Sequence, residues 1–379
     1  MFGWLKDKVA KVSPSAAAKA LRAEFNSLNN LPGAPPRLAE RLADFVLKGE
    51  GGSVVADVTS LKNTHLAVPL VSTRHEQLKE KGLPRLLPHL PQDPELLLRL
   101  AKVYDAIQQA GAGVSYSFGA PTIPAFQGSL SWLGSFLIEL SREGQQKKPN
   151  FPVGLLMAMI EAGGENPRVL PRGAFFYEDA QGQSQLNRWS GPGFNCFHCL
   201  DKFPELVLSS ADVVRPAFHQ KEATSRATVL RALTALQIPV DPFVEEIASL
   251  AVSGSKEVRE CAAPLITDHF PKFTDSLKVY AEKGSADQRF YAVRWLGRAG
   301  GKAEREFLTE RLNNEKSEKI CAAIREAVAD ATTAQTAPAD DHYDLPEIPK
   351  IPVNAPLDKK YLAELREVIA GVEDANAIQ

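Results

Sequence analysis

Apolar residues recur along most of this chain at spacings of three and four, the period of a helix that buries one face. The pattern predicts helices over 15–28, 36–48, 93–110, 129–142 and 152–162, with Pro35 and Pro36 placed to start the second. Leu96, Leu97, Leu100, Val103, Tyr104 and Ile107 make one apolar face of the third, so that helix must pack on a neighbour. Between the helices, LPGAPP, KGLPRLLPHLPQDP and GAGVSYSFGAPTIP supply turns in place of regular elements. From 169 to 189 the pattern changes, and GAFFYED, AQGQ and SQLNRW predict a small β-hairpin. In the opening segment Phe2, Leu5, Val9 and Val12 share a face away from Lys6, Lys8 and Lys11. That face predicts a helix docked on the protein's own body, a membrane surface being the other use of such a stripe.

The second half repeats. A basic residue at Arg226, Arg259, Arg289 and Lys319 recurs at offsets of 33, 30 and 30 residues. Three positions later stand Val229, Ala262, Ala292 and Ala322, and seven positions later Leu233, Ile266 and Leu296, with Glu326 in the degenerate fourth unit. Gly254, Gly284 and Asn314 precede the last three anchors by five residues, and all tolerate the left-handed conformation that closes a helix. Each unit thus reads as a helix, a cap, a short turn and a second helix. Such a pair cannot cover its apolar faces alone, so neighbouring units must stack, which predicts an α-solenoid; an ordinary helical bundle with accidental periodicity is the rival. A residue recurring at one repeat position predicts a recurring structural job for the anchors in packing between units.

The segment QRFYAVRWLG resembles the second helix of HEAT repeats: an arginine, alanine three on, and Leu-Gly seven and eight on. With EVRECAAPLI it is similar to the short bacterial HEAT-like class of armadillo-like helical proteins, over about 215–330. ADVVRPAFHQKEATSRATVLRAL, the units that follow it and YDLPEIPKIPVNAPLDKKYLAELREVI resemble the region ahead of the C-terminal domain in large bacterial MolR-like proteins, by order and texture. That likeness implies a shorter relative or a fragment of such a protein, and it carries over no functional residue. The expected fold class is mostly α, a HEAT-like α-solenoid preceded by an irregular helical region with a small hairpin. Its parts are an N-terminal region over 1–200, repeats over 201–330, and a linker with a terminal helix over 331–379. Within the last part, ATTAQTAPADDHYD reads as an acidic linker and LPEIPKIPVNAP as an extended segment. That segment either leads to a further element or runs back to cover an exposed end of the repeats, and a helix over 357–370 follows it.

Composition narrows the function. Hydrophobic residues at 44% and charged residues at 24% are near the globular average, which excludes wholesale disorder, collagen-like and coiled-coil chains. With 44 Lys and Arg against 46 Asp and Glu, no global charge draws the protein to nucleic acid or an anionic membrane. The first residues lack the apolar core and cleavage site of a secretory signal, and only four cysteines occur, so a cytoplasmic protein is expected. No transmembrane segment is expected either, since the longest apolar stretches reach roughly half of the ~20 residues a span needs.

The search for chemistry returns little. Cys196, His198 and Cys199 in GPGFNCFHCL form a weak metal-ligand candidate, with His219 a conceivable fourth donor, but a structural zinc site usually draws on two such pairs. A redox pair lacks the strand-to-helix setting, and packed or free cysteines are the remaining reading. Cys261 and Cys321 each follow an anchor by two residues, so stacked units hold them beyond disulfide reach. GAGVSY and GRAGGK fail as phosphate loops, His75-Glu76 lacks the second histidine of a metalloprotease, and no G-x-S-x-G elbow occurs. No cofactor and no catalytic residue is expected, so the protein reads as non-enzymatic. The second helices of HEAT-like units usually line a binding face. Arg231 and Arg294 share one repeat position there, with Arg298 and Arg325 nearby. This short basic ridge makes a protein partner the expected ligand of a scaffold or binding module, with nucleic acid the alternative and a solvated, ion-paired helix face the reading without function.

Overall fold

The computed structural model describes residues 13–31, 33–61, 83–111, 123, 125–141, 151–178, 182–183 and 193–336. The chain divides into two compact units, Met1–Ala329 and Asp330–Gln379. The opening amphipathic segment, the Pro-spaced segment and the terminal helix expected over 357–370 lie outside the described residues.

The protein is mostly helical, as the periodicity predicts. In the N-terminal region α1 (Pro14–Phe25), α2 (Leu38–Lys48), α3 (Ser53–Ser60), α4 (Pro94–Gly111), α5 (Ser131–Ser141), α6 (Val153–Ala162) and α7 (Val169–Phe175) follow one another. Ser13 caps α1 by accepting the Ala16 N–H at 3.2 Å. The proline pair does not start α2, which begins at Leu38 after a left-handed Arg37 (φ 57°), and the Asn29 side chain accepts the Ala39 N–H at 2.9 Å. Gly49, at φ 76°, closes the same helix in the left-handed conformation that glycine adopts most readily. Helix α4 runs through the middle, packed on α2, α3, α5 and α6. All six residues of its expected apolar face are buried, and so are Leu98, Ala101, Ala106 and Ala110 on its other sides.

The expected hairpin begins instead as a helix. Val169–Phe175 is α7, and Leu170, Ala174 and Phe175 are buried there. Gly173 explains the choice: a Cβ at this position would meet the Phe197 ring at 2.8 Å, so the glycine marks a close helix contact and not a strand. The second expected arm, 184–189, lies outside the described residues. The two short strands that do occur among the described residues are β1 (Phe151–Pro152) and β2 (Leu200–Asp201), paired in parallel with Phe151 opposite Leu200.

After α8 (Phe203–Ser209) come α9 (Ala223–Ala235), α10 (Val244–Ala251), α11 (Lys256–Asp268), α12 (Phe270–Lys283), α13 (Ala286–Ala299), α14 (Lys302–Leu312) and α15 (Glu318–Thr336). Helix α9 packs on α7 and α11, α10 packs on α11 and α12, and α12 packs on α13. Val229, Leu233, Ala262, Ile266, Ala292 and Leu296, the repeat positions of the first three units, are fully buried. The fourth unit departs from the expected register: Ala322 is exposed, while Ile320, Ala323 and Ile324 are buried. Aligning Ala323 with Ala292 gives an offset of 31, one residue longer than Lys319 implies. Helix α15 also continues through Thr336, because ATTAQT holds no helix breaker and Pro338 is the first residue unable to extend it.

The expected left-handed caps do not form. Gly254 and Asn314 keep negative φ, and Gly284 is extended at φ −68°, ψ 168°. Gly284 is needed for space: a Cβ there would sit 2.6 Å from the Tyr280 carbonyl oxygen and 2.8 Å from Gln288 Cβ. The turn closes by a Tyr280 carbonyl accepting the Gly284 N–H, followed by a Ser285–Gln288 capping box that starts α13.

Candidate functional site

The anchor arginines hold turns. Arg226 Nη1 donates to the carbonyls of Gln220 and Lys221 at 2.6 and 2.7 Å, six and five residues back. Arg259 Nη1 reaches the Ser253 carbonyl at 2.7 Å, and Arg289 Nη1 the Gly284 carbonyl at 2.9 Å. Each guanidinium thus folds back around the start of its own helix and satisfies carbonyls that the preceding turn leaves open. The same groups also join units. Arg259 lies 3.8 Å over the Tyr291 ring, and Arg289 Nε donates to Glu315 at 3.1 Å. Glu315, its side chain 3% exposed, also accepts from Arg311 Nη2 and from the N–H groups of Lys316 and Ser317. Burial acts to raise the Glu315 carboxyl, and the Ser317 N–H and the Arg289 guanidinium outweigh it, so its pKa lies below the ordinary value. Backbone carbonyls of first helices receive further donors: Trp295 Nε1 reaches Ala251 O at 3.2 Å, and Arg311 Nε reaches Ala281 O at 3.3 Å.

A second set of polar groups joins residues 220–222, just ahead of α9, to residues 175–178 at and after the end of α7. Buried Gln220 accepts the Tyr177 N–H at 2.7 Å and donates to the Phe175 and Ala217 carbonyls at 2.9 Å. Glu178 accepts the N–H groups of Lys221 and Glu222 just ahead of α9. Sequence reasoning missed this junction, since Gln220 and Glu178 stand 42 residues apart with no motif between them. It also missed a network between α4 and α5. There Asp105 accepts from Ser131, Ser135 and Gln109 at 2.7 to 2.8 Å, and Gln108 donates to buried Glu139 at 3.4 Å. Both sets satisfy polar groups inside helix packing and so fix its register.

The cysteine motif lies on a 3-10 helix, Gly193–Cys199. Cys196 and Cys199 are buried and His198 is half-buried. Cys199 Sγ donates to the Cys196 carbonyl at 2.9 Å, and Ser141 Oγ lies 3.5 Å from Cys196 Sγ. Burial pushes the Cys196 thiol up, with the Ser141 contact a smaller opposing effect, which favours the neutral thiol over the thiolate that metals and electrophiles require. Among the described residues no three His, Cys, Asp or Glu side chains are grouped to hold a metal ion. His219 ends a different 3-10 helix, Arg215–His219. Cys261 and Cys321 are half-buried free thiols.

The proposed ridge divides. Arg231 on α9 is held by Glu257 on α11 at 2.8 Å, and although burial opposes its charge the Glu257 bond offsets that and raises its pKa. Arg294 and Arg298 on α13 and Arg325 on α15 are exposed, and among the described residues none of the three forms an ion pair. Around them lie half-buried aromatics. Arg294 stands 5.9 Å and Lys319 4.4 Å from the Phe290 ring centroid, and Lys319 contacts Asp287 at 3.8 Å. Helices α13 and α15 meet closely at Gly297, where a Cβ would fall well inside contact distance of Ala327 Cβ. The candidate site is therefore a face of α13, with Arg294 and Arg298 exposed and without an ion pair among the described residues beside half-buried Phe290, Tyr291 and Trp295, while Arg325 is exposed on the adjoining α15. None of the described helices is long and apolar enough to cross a membrane. The chain matches no protein-family model, no curated protein and no solved structure.

Proposed function

We propose that this protein is a non-enzymatic binding module in which α9–α15 act as a short HEAT-like solenoid and a partner protein docks on the outer face of α13 and α15. The observation that carries this reading is the contrast between paired and unpaired charge. Arg226, Arg259, Arg289, Arg311 and Arg231 all have acceptors within the fold, whereas Arg294, Arg298 and Arg325 have none among the described residues. Unpaired guanidiniums beside half-buried aromatics form the kind of surface that arginine-rich and aromatic-rich interfaces use. The repeated anchor geometry supports the solenoid reading, because three successive units solve the same turn with the same residue.

A photo-crosslinking residue placed at Ala322, exposed on α15, tests this in the native cell against the same residue at Val279, which is 51% exposed on α12. Protein adducts from Ala322 and none from Val279 are expected. Adducts to nucleic acid, or protein adducts from Val279 alone, overturn the reading.

A further inference from the structure

Resting on that reading, we propose that the occupant of the α13/α15 face is an extended acidic segment of a partner protein, with carboxylates at alternate residues. Arg294 and Arg298 are four residues apart on one helix, so their origins differ by about 6 Å along its axis. An extended peptide presents side chains on one side every ~6.6 to 6.8 Å, since each residue rises about 3.3 Å and sides alternate. Carboxylates two residues apart therefore reach Arg294 and Arg298 in turn, and each guanidinium offers the planar fork that a carboxylate fits in bidentate fashion.

The charges around the face limit the occupant's length. Asp287 and Glu326 border the free guanidiniums, and in the next unit Glu257 already neutralises Arg231. A nucleic-acid backbone needs a basic track that continues with each phosphate, and on α13 only Arg294 and Arg298 offer one, with Asp287 two turns earlier on the same helix. A short acidic peptide ends before repulsion from that carboxylate begins.

Fluorescence anisotropy with the full chain at low salt tests the proposal using four labelled probes. They are a twelve-residue peptide alternating Glu and Ala, an isomer with its glutamates in one block, the Lys-Ala counterpart, and a twenty-nucleotide oligo(dT). The alternating Glu-Ala peptide is expected to bind most tightly. Its affinity should fall about tenfold in R294A/R298A, the loss of two exposed charge pairs, and stay within about twofold in R231A. Equal binding of the block isomer, no binding of the alternating peptide, or tighter binding of oligo(dT) each overturns the proposal. If Ala322 still crosslinks to protein while the alternating peptide does not bind, the acidic segment is wrong and the binding-module reading stands; if no adduct forms at Ala322, that reading fails as well.

Discussion

Arg289 ties two neighbouring units through one buried carboxylate, and its loss leaves Glu315 with Arg311 as its remaining cation. Glu315 keeps Arg311 and two backbone N–H groups, so the lost charged hydrogen bond sets the cost, and Arg289→Ala should cost about 1.5–3 kcal/mol in denaturant unfolding. Arg298→Ala, at an exposed and unpaired position, should change stability by less than about 0.5 kcal/mol in the same measurement. Glu315 also makes stability depend on pH. Its folded pKa lies below the ordinary 4.5, so its contribution is complete above that value and disappears as pH falls through the folded pKa. The difference in melting temperature between the wild type and Glu315→Gln should therefore be constant near neutrality and shrink as pH falls below that ordinary value. A gap that widens with acid would contradict the assignment. The anchors themselves were legible, because a basic residue at a fixed period asks for a fixed structural job. Glu315 was not, since nothing in its local sequence separates a buried acceptor from a surface acid.

Helix α13 and its neighbours show how register is decided. The positions the period marks for packing in the first three expected units, Val229, Ala262 and Ala292, are fully buried. The period misplaced the fourth by one residue: Lys319 imitates an anchor by charge, but burial follows Ile320, Ala323 and Ile324. An aspartate scan separates the two registers. Ala292→Asp and Ala323→Asp should each destabilise by about 3 kcal/mol or more through a buried unpaired charge, while Ala322→Asp should be nearly neutral. A costly Ala322→Asp with a silent Ala323→Asp would restore the offset of 30. Gly297 offers a separate test, because its missing side chain makes room for Ala327. Gly297→Ala should lose about 1–3 kcal/mol by overpacking, and Gly297→Ala/Ala327→Gly should recover most of it. In the segment expected as a hairpin, 169–175 is a helix, and Gly173, expected in the first strand, is a packing notch under Phe126 and Phe197.

For the whole molecule, the near-zero net charge of 44 Lys and Arg against 46 Asp and Glu keeps its weight against a broad charge-driven partner. The mostly helical class and the absence of any apolar stretch long enough to span a bilayer among the described helices were readable from periodicity alone. The division of the basic ridge was not readable, because pairing of Arg231 with Glu257 depends on how α9 and α11 align in space, 26 residues apart. That pairing moves the candidate surface away from α9 and onto α13 and α15. The most direct measurement of this claim is the yield of protein adducts from the crosslinker at Ala322 in the R294E/R298E/R325E background, with melting temperature as the control for folding. The account predicts that adducts fall to background while the melting temperature stays within a few degrees of wild type; an unchanged adduct yield on a folded triple variant would contradict it.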